Sequence, residues 1–355
     1  MCEDAFAKLR GEHGKDNFLL PLLRWFGDNA RCLPWRIDPT PYGVLVSETM
    51  LQQTRIATVI PYFERFMCVF PSIPDLAVAE ESQVLKMWEG LGYYRRAKNL
   101  HFAAKQIMQD FSGEFPRTYP EVLRLKGVGK YTAGALCSLC FLLDTPAMDG
   151  NVFRVVSRYL ACDLAFSCTA DCKKVEQVLV PLYQATEKKG NFTEALMELG
   201  EVICTPQKVQ CEICPVQSSC SAYERGLVET LPSARKKTKQ TEQEITVFVL
   251  KKGEHFALCQ RNQDGLLASL FEFPNVAMQM TAEQAMQQVS LWDSCQGAQR
   301  QPYQTRQHKH IFTHKIWHMK AYYFEIDTLS PQWQWYTMQQ IQQELALPSA
   351  FSWIL

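Results

Sequence analysis

The chain has 355 residues, 47% of them hydrophobic and 21% charged, and its formal net charge is zero. This composition excludes an intrinsically disordered chain, and the length exceeds one ordinary hydrophobic core, so we expect two domains. No apolar run reaches the roughly 18–20 residues of a membrane span, and the polar residues 1–14 lack the apolar core of a signal peptide. We therefore expect a cytoplasmic protein with no membrane partner.

The first two thirds of the chain have the pattern of helices. Between residues 16 and 223, apolar side chains recur every three or four positions, as in the segment 59–70, and prolines interrupt the pattern. After residue 243 the pattern changes, because residues 245–250 and 319–326 are rich in β-branched and aromatic side chains, with a glutamine-rich helical segment at 282–289 between them. We expect an all-α domain followed by a smaller α+β domain.

A polar, basic stretch separates these two patterns. Residues 231–242 contain few apolar side chains and are typical of an interdomain linker. The sequence therefore predicts a first domain over 1–230, a linker over 231–242 and a second domain over 243–355. The linker is either a solvated tether alone or a tether that also contacts phosphate.

Four of the 14 cysteines are clustered. Cys204, Cys211, Cys214 and Cys220 have the spacing C-x6-C-x2-C-x5-C. Four thiolates this close in sequence suit a zinc ion or an iron–sulfur cluster, and an incidental grouping is the third interpretation. Zinc sites usually contain two C-x-x-C pairs, whereas this segment has one, which disfavours zinc. The other cysteines, such as Cys137, have the pattern of small buried residues.

A turn with two glycines lies between two helical stretches, in LKGVGKYTA at 125–133. Gly127 and Gly129 permit tight backbone turns and leave N–H groups uncovered, which favours an anion site at the start of the following helix. Lys126 and Lys130 add positive charge. We expect this turn to bind an anion such as a phosphate, and an ordinary turn between helices is the alternative.

Two carboxylates stand in positions that suit the cleavage of a glycosidic bond, which needs an acid for the leaving group and an anion for the sugar cation. Glu48 lies in an apolar run on a predicted helix, where desolvation should raise its pKa. Asp149 directly precedes another predicted helix, whose N-terminus favours an anion. A solvent-facing glutamate and a plain helix cap are the respective alternatives.

Three further segments resemble the MutY family of adenine DNA glycosylases. SETMLQQT at 47–54, DGNV at 149–152 and LPWR at 33–36 are similar to that family's S-E-x-M-L-Q-Q-T, D-G-N-V and L-P-W-R. The cysteine spacing resembles the [4Fe–4S] loop of the endonuclease III and MutY superfamily, and the segment 125–133 resembles its helix-hairpin-helix motif. The resemblance covers most of the chain.

The resemblance implies roles for individual side chains. Glu48 is the expected acid on adenine N7, Asp149 stabilises the sugar cation, and Asn151 orients the site. Bifunctional relatives such as endonuclease III carry a lysine where this chain has Tyr131, and a tyrosine cannot form a Schiff base. We therefore expect a monofunctional enzyme in which Tyr131 forms hydrogen bonds within the catalytic centre. The implied adenine pocket consists of Arg31, Trp35, Arg36, Leu51 and Glu194.

The resemblance also implies side chains that hold the duplex after base flipping. Gln53 is similar to the glutamine that enters the base stack. Tyr93, in GLGYY at 90–94, is similar to the tyrosine that intercalates beside 8-oxoguanine. The basic residues that follow suit phosphate contacts; they are Arg95, Arg96 and Lys98.

The second domain resembles the Nudix-like domain of the family. GLLASLFEFP at 265–274 is similar to its strand and turn, and Phe312, Thr313 and His314 are similar to its 8-oxoguanine-contacting loop, with Thr313 in place of serine. A hydrolytic Nudix domain needs helix carboxylates for Mg²⁺, whereas residues 282–289 carry glutamines, so we expect binding without hydrolysis. The histidines at 308, 310, 314 and 318 leave zinc as an alternative.

The predicted fold has two domains: an all-α helix-hairpin-helix DNA glycosylase domain with a [4Fe–4S] cluster loop, followed by an α+β Nudix-like domain. We expect a monomeric base-excision-repair enzyme of the bacterial-type cytoplasm, associated with the nucleoid. It would flip adenine out of a duplex mispair with 8-oxoguanine or guanine and hydrolyse its N-glycosidic bond. The alternatives are an endonuclease III-like glycosylase/lyase, disfavoured by Tyr131, and a non-catalytic iron–sulfur DNA-binding protein, disfavoured by the two carboxylates.

Overall fold

The computed structural model describes residues 5–233, 240–263, 265–292, 301–327 and 329–355. The chain forms two compact units. The first, here called the helical unit, comprises residues 1–77 and 102–236, and the second, the sheet unit, comprises residues 78–101 and 237–355. Half of the predicted linker, residues 234–239, lies outside the described residues, and the predicted domain boundaries stay a prediction. Within the described residues, no helix is long and apolar enough to cross a membrane.

All regular secondary structure described between residues 5 and 233 is helical, as the apolar periodicity predicts. Their bounds are α1 Gly11–Gly14, α2 Leu20–Asn29, α3 Pro34–Ile37, α4 Pro41–Leu51, α5 Ile56–Val69, α6 Ile73–Val78, α7 Glu81–Met87, α8 Arg95–Asp110, α9 Tyr119–Leu123, α10 Lys130–Cys140, α11 Gly150–Leu160, α12 Thr169–Gln184, α13 Lys189–Val202 and α14 Ser221–Glu224.

Helix α11 contributes one whole face to a hydrophobic core of the helical unit. Its apolar residues recur at helical spacing, so Val152, Val156 and Tyr159 lie on one face, where all three are buried. Helices α2, α12 and α13 contribute facing side chains of this core, among them Phe192. Phe18, in the turn of helix just before α2, packs against the Tyr159 ring at 4.5 Å. The packing fixes the first turn of α11 relative to α13.

The glycine turn connects α9 and α10, as predicted. Gly127 has φ +81°, a backbone conformation that residues other than glycine rarely adopt, and Gly129 is the N-cap of α10. Leu125 and Val128 are buried and anchor the turn. Lys126 and Lys130 are exposed, so their charges face solvent at the start of a helix.

The sheet unit contains seven strands among the described residues. They are β1 Thr241–Lys252, β2 His255–Gln260, β3 Phe271–Glu272, β4 Asn275–Val276, β5 Gln304–Ile311, β6 Lys315–Glu325 and β7 Gln334–Thr337. Strands pair in the order β3-β2-β1-β6-β5, with β4 on β1 and β7 on β2. The pair β1–β6 is parallel, in the register Thr241 to Lys315, and every other pair given is antiparallel.

Helices cover both faces of this sheet. Alternate residues of β1 point to opposite faces, so Val247 and Val249 belong to one core and Phe248 to another. Helix α15 (Ala282–Trp292) buries Ala285 in the core of Phe248. Helix α16 (Met338–Gln343) and the C-terminal residues cover the other face. The glutamine-rich segment is therefore the helix that the sequence predicts.

Residues 78–101 attach to the C-terminal part of the sheet unit by polar contacts. Lys86 Nζ donates to the Leu345 carbonyl at 2.8 Å, and the Leu347 N–H donates to Glu89 Oε1 at 2.8 Å. The predicted basic flank is wrong for Arg96, which is buried and donates to the carbonyls of Leu91 and Gly92. A buried guanidinium needs such acceptors, so this residue is a structural one.

The contact of Gly134 with the 145–147 segment gives a test of the helical unit. A Cβ at Gly134 would lie 2.5 Å from the Pro146 carbonyl oxygen, so we expect Gly134→Ala to lower the free energy of unfolding by about 1–3 kcal/mol through overpacking. The matched control is Gly27→Ala in α2, where nothing lies within 4 Å, and it should raise stability by about 0.5–1 kcal/mol. Urea denaturation measures both, and equal stabilisation by the two substitutions would contradict this packing.

Candidate active site

The helical unit contains a cavity of about 340 Å³. It lies where α3, α4, α10, α11 and α13 meet, and its volume is in the range of small-molecule pockets. The structure brings together all four predicted catalytic residues and all five residues of the predicted adenine pocket around this cavity. They are Glu48, Tyr131, Asp149 and Asn151, and Arg31, Trp35, Arg36, Leu51 and Glu194.

Glu48 is held in the cavity wall by a helix that is buried along most of its length. Thr40 caps α4 by accepting from the Gly43 N–H at 3.0 Å, and Pro41 occupies the first turn. The Glu48 carboxyl is buried, and no described residue hydrogen-bonds to its Oε2. Burial raises the pKa of Glu48 to about 7, which the nearby Tyr131 hydroxyl partly offsets. The solvent-facing alternative is therefore wrong.

Tyr131 lies in the first turn of α10, the second helix of the hairpin, and is a neutral hydrogen-bond donor inside the cavity. Burial raises the pKa of its phenol well above the ordinary value, and the carboxyls of Glu48 and Asp149 add to the rise. The hydroxyl donates to Met197 Sδ at 3.7 Å. Because a phenol has one proton, donation to Glu48 requires it to leave the weak sulfur acceptor.

Asp149 is the N-cap of α11, as the sequence predicts. Its Oδ1 accepts from the Val152 N–H at 2.7 Å, and its Oδ2 accepts from Asn151 Nδ2 at 3.0 Å. Burial raises the pKa of Asp149, while these two hydrogen-bonding neighbours and the Arg154 charge lower it. The carboxylate thus combines a capping role with a place in the cavity wall, and the plain-cap alternative accounts for only one of the two.

A polar chain continues from Asp149 away from the cavity. Arg154 Nη2 donates to Asn151 Oδ1 at 2.9 Å and to the Gly200 carbonyl at 2.8 Å, and its Nε donates to the Cys204 carbonyl at 2.8 Å. A Cβ at Gly200 would lie 2.8 Å from Asn151 Cβ, so only glycine lets α13 approach this closely. Asn151 is thereby fixed from two sides, which supports its predicted orienting role.

Three acids on one face of α13 line the cavity: Glu194, Glu198 and Glu201. Arg36 Nε donates to Glu194 Oε1 at 3.0 Å, and Arg31 Nη2 donates to Glu201 Oε2 at 3.0 Å. The sequence analysis missed Glu198 and Glu201. Their spacing of four and seven residues from Glu194 places all three on one face of a helix, and that signal could have found them.

The two predicted wedge residues share an unusual backbone conformation. Gln53 follows α4 with φ +61°, and Tyr93 precedes α8 with φ +47°. Residues other than glycine rarely adopt this left-handed backbone region, and such backbone strain is common at functional sites. Both are exposed, Tyr93 by 46%. Neither lines the cavity, and the hairpin residues Lys126 to Lys130 do not line it either.

The predicted lesion loop is the turn between β5 and β6. The Phe312 N–H donates to the Lys315 carbonyl at 2.8 Å, and the Phe312 ring packs edge-on against Trp317 at 4.9 Å. The hydroxyls of Thr313 and Tyr93 hydrogen-bond to one another. Two residues that the sequence assigns to the same lesion therefore lie together in the sheet unit, although 220 positions separate them.

The four clustered cysteines lie around the segment between α13 and α14, partly buried and all as free thiols. Cys204, Cys214 and Cys220 pack against the core of the helical unit. Burial raises the pKa of Cys211, and the neighbouring Cys204 and Cys220 raise it further. Arg158 Nη1 donates to Cys204 Sγ at 3.4 Å.

Within the described residues, no three His, Cys, Asp or Glu side chains converge as the ligands of a single metal ion do. Near the lesion loop, His318 Nε2 lies 2.8 Å from Glu242 Oε2, and His308 stacks on Trp353 at 5.1 Å.

The buried Glu48 should make stability depend on pH. The Glu48 carboxyl ionises near its ordinary pKa of 4.5 in the unfolded chain and near 7 in the folded protein. The free energy of unfolding of the wild type therefore falls as pH rises between these values. We expect Glu48→Gln to gain about 3 kcal/mol relative to the wild type between pH 4.5 and pH 8.

Chemical denaturation at the two pH values measures this gain. Glu64→Gln, at an exposed position of α5, is the control and should show no comparable change. A difference between Glu48→Gln and the wild type that does not vary with pH would show that the Glu48 carboxyl ionises normally in the folded protein.

Comparison with known proteins relates this architecture to one family. Residues 46–179 match the HhH-GPD superfamily of base excision DNA repair proteins, and residues 246–355 match the NUDIX domain. The adenine DNA glycosylase of Buchnera aphidicola subsp. Schizaphis graminum (strain Sg) is 35% identical over 258 residues, 72% of this chain and 73% of the relative. That of Mus musculus is 33% identical over 380 residues, 90% of this chain and 73% of the relative.

The fold of the helical part is also found among solved structures. That of a thermostable thymine-DNA glycosylase aligns with a TM-score of 0.54 and 28% identity, over 60% of this chain and 98% of that one. The MutY-type resemblance and the predicted fold class are confirmed. A cavity lined by the SETMLQQT glutamate and the DGNV aspartate, together with these matches, shows that the chain belongs to the adenine DNA glycosylase family of the HhH-GPD superfamily.

Proposed function

We propose that this chain is a monofunctional adenine DNA glycosylase, which flips adenine out of a duplex mispair with 8-oxoguanine or guanine and hydrolyses its N-glycosidic bond. The observation that carries the proposal is a pair of carboxyls in one cavity, the buried Glu48 and the partly buried Asp149, with different hydrogen-bonding surroundings. Its bacterial and mouse relatives bear the name of this activity. The enzyme would act as a monomer at the nucleoid of a bacterial-type cytoplasm.

Glu48 supplies the proton for the leaving base. With a pKa of about 7, a large fraction of the carboxyl is protonated at neutral pH, which is the state that a general acid needs. The flipped adenine enters the cavity, and Glu48 protonates its N7. The positive charge that the base gains weakens the bond from the base to the sugar.

Asp149 acts on the sugar. As the bond breaks, positive charge develops at the sugar carbon, and an ionised carboxylate beside it lowers the energy of that state. The helix N-terminus and the Asn151 amide hold the two Asp149 oxygens in place. Water then adds to the sugar cation, or hydrolyses the bond that the sugar carbon has formed with the Asp149 carboxylate.

The absence of strand cleavage follows from the lining of the cavity. Among the described residues that line it, none is a lysine, and Tyr131 offers a phenol where a lyase needs an amine.

Trp35 is buried and packs edge-on against Phe63 at 5.4 Å. It forms an apolar wall against which a base can stack.

The exposed glycine turn of residues 126–130 and the strained wedge residues hold the duplex. Uncovered N–H groups at the start of α10, with two exposed lysines, suit a phosphate of any sequence. Gln53 fills the gap left by the flipped adenine. Tyr93 and Thr313, already in contact, would bind the 8-oxoguanine together, which supports the predicted reader role of the loop at Phe312, Thr313 and His314.

The four cysteines Cys204, Cys211, Cys214 and Cys220 would hold a [4Fe–4S] cluster. Such a cluster binds one thiolate at each of four irons, so its ligands need not converge on one ion. Four neighbouring partly buried thiols, with the Arg158 guanidinium on one sulfur, fit an anionic cluster. When bound, the cluster would tie the loop before α14 to the core.

The cluster assignment predicts a loss of iron on ligand substitution. Cys214→Ser should lose most of the iron, expected at about four atoms per wild-type chain, together with the visible absorption of the cluster. Cys68→Ser, at an exposed cysteine outside the loop, should keep both. Metal analysis of protein purified without oxygen measures the content, and wild-type protein that contains zinc in place of iron would contradict the assignment.

The activity is tested by single-turnover cleavage of an end-labelled duplex with one adenine opposite 8-oxoguanine or guanine. We expect strand breaks at the adenine only after hot alkali. The rate should fall as pH rises above about 7, where Glu48 loses its proton. Asp149→Asn should lower the rate by at least about 10²-fold and keep duplex binding.

The other outcomes of this cleavage experiment distinguish the alternatives. Strand breaks without alkali would support an endonuclease III-like lyase. Binding without breaks in either lane, by cluster-loaded protein, would support a non-catalytic DNA-binding protein.

A further inference from the structure

We propose that Glu198 is a positioning residue for base recognition, whose single carboxylate sets the orientation of both arginines in the base pocket. The inference rests on the proposed function and deepens it. The family resemblance gives roles to Arg31, Arg36 and Glu194 and none to Glu198.

Glu198 is the acid that joins the two arginines. Its Oε1 accepts from Arg31 Nε, and its Oε2 accepts from Arg31 Nη2 at 3.0 Å and from Arg36 Nη2 at 2.9 Å. By contrast, Glu194 binds only Arg36 and Glu201 binds only Arg31 among these contacts. Two bonds to one guanidinium fix its plane, and the third bond fixes the second guanidinium relative to the first.

The burial of Glu198 makes this arrangement rigid. Its side chain is 1% exposed, whereas those of Glu194 and Glu201 are 22% and 37% exposed. Burial opposes ionisation, but the hydrogen bonds from Arg31 and Arg36 lower the pKa of Glu198 below its ordinary value. An ionised, buried carboxylate that accepts three N–H groups holds its partners more strongly than an exposed one does.

The consequence for the base follows from its Watson–Crick edge. Adenine presents there one acceptor, N1, and one donor, the 6-amino group. Guanidinium N–H groups suit the acceptor, and a carboxylate such as Glu194 suits the donor. Among the described residues, no hydrogen bond uses Arg31 Nη1, whose two N–H groups stay available to a ligand. The Glu198 carboxylate therefore determines where the donors to N1 stand.

A glutamine cannot replace this carboxylate. If its oxygen stays on Arg31 Nε, its NH₂ group faces the Nη2 groups of both arginines; if the amide is flipped, the NH₂ group faces Arg31 Nε. The first orientation sets the amide donor against two guanidinium donors and the second sets it against one, so neither keeps all three hydrogen bonds. We expect Glu198→Gln to slow adenine removal by about ten- to a hundred-fold, the range for loss of a hydrogen bond to a charged group, with duplex affinity unchanged.

The deciding readout is a ratio of two rates. Single-turnover removal of adenine is compared with removal of 1-deazaadenine, which lacks the N1 acceptor, in otherwise identical duplexes opposite 8-oxoguanine. Loss of folded protein changes both rates equally, whereas loss of positioning changes mainly the adenine rate. We expect the adenine to 1-deazaadenine ratio to fall about ten-fold in Glu198→Gln.

Glu201→Gln is the matched control, because it removes the charge of a neighbouring acid, its amide oxygen can still accept from Arg31 Nη2, and the Glu198 bonds stay in place. It should keep the wild-type ratio. If Glu198→Gln does not fold, Glu198→Asp gives the same test, because the shorter side chain keeps the charge but cannot reach both arginines in the same geometry. A wild-type ratio in folded Glu198→Gln or Glu198→Asp would overturn the inference. A wild type that removes no adenine would instead overturn the proposed function.

Discussion

The burial of more carboxylates than cations around one cavity is the constraint on which the site depends. Among the described residues, five acids and two arginines line it. A buried carboxylate either finds donors or binds a proton. Glu198 has two arginines and stays ionised, whereas Glu48 has no donor on Oε2 and binds a proton near neutral pH. The hydrogen-bond donors around each carboxyl therefore decide which glutamate is ionised and which is protonated.

Helix α11 turns this local chemistry into architecture. Its apolar face is fixed in the core, so its first residue and its cap cannot move independently of α13. Asp149 at the cap, Asn151 in the first turn and Arg154 one turn later form a continuous polar chain that ends on the Cys204 carbonyl. One helix thus connects the cavity to the cysteine loop without any flexible element between them.

The sequence predicted those features that local chemistry determines. The helix of Glu48, the cap of Asp149 and the glycine turn each depend on neighbours within a few positions, and all are present. Strand β5 was not predicted, because it is an edge strand with mostly polar side chains and lacks the alternation of a half-buried strand. Arg96 was expected at the surface, since a basic residue between basic residues gives no sign of buried carbonyl acceptors. Glu198 was missed because its partners are more than 160 positions away.

The contacts of residues 78–101 bear on the order of events during synthesis. Lys86, Glu89 and Tyr93 find their partners at Leu345, Leu347 and Thr313. A ribosome releases the N-terminal end first, so about 220 further residues must emerge before the Tyr93 hydroxyl meets that of Thr313. Throughout that interval the segment is exposed without these partners, while the flanking parts of the helical unit can already pack. A chain truncated before residue 300 would thus lack the partners of all three side chains, so the last third of the chain decides the polar contacts of a segment made much earlier.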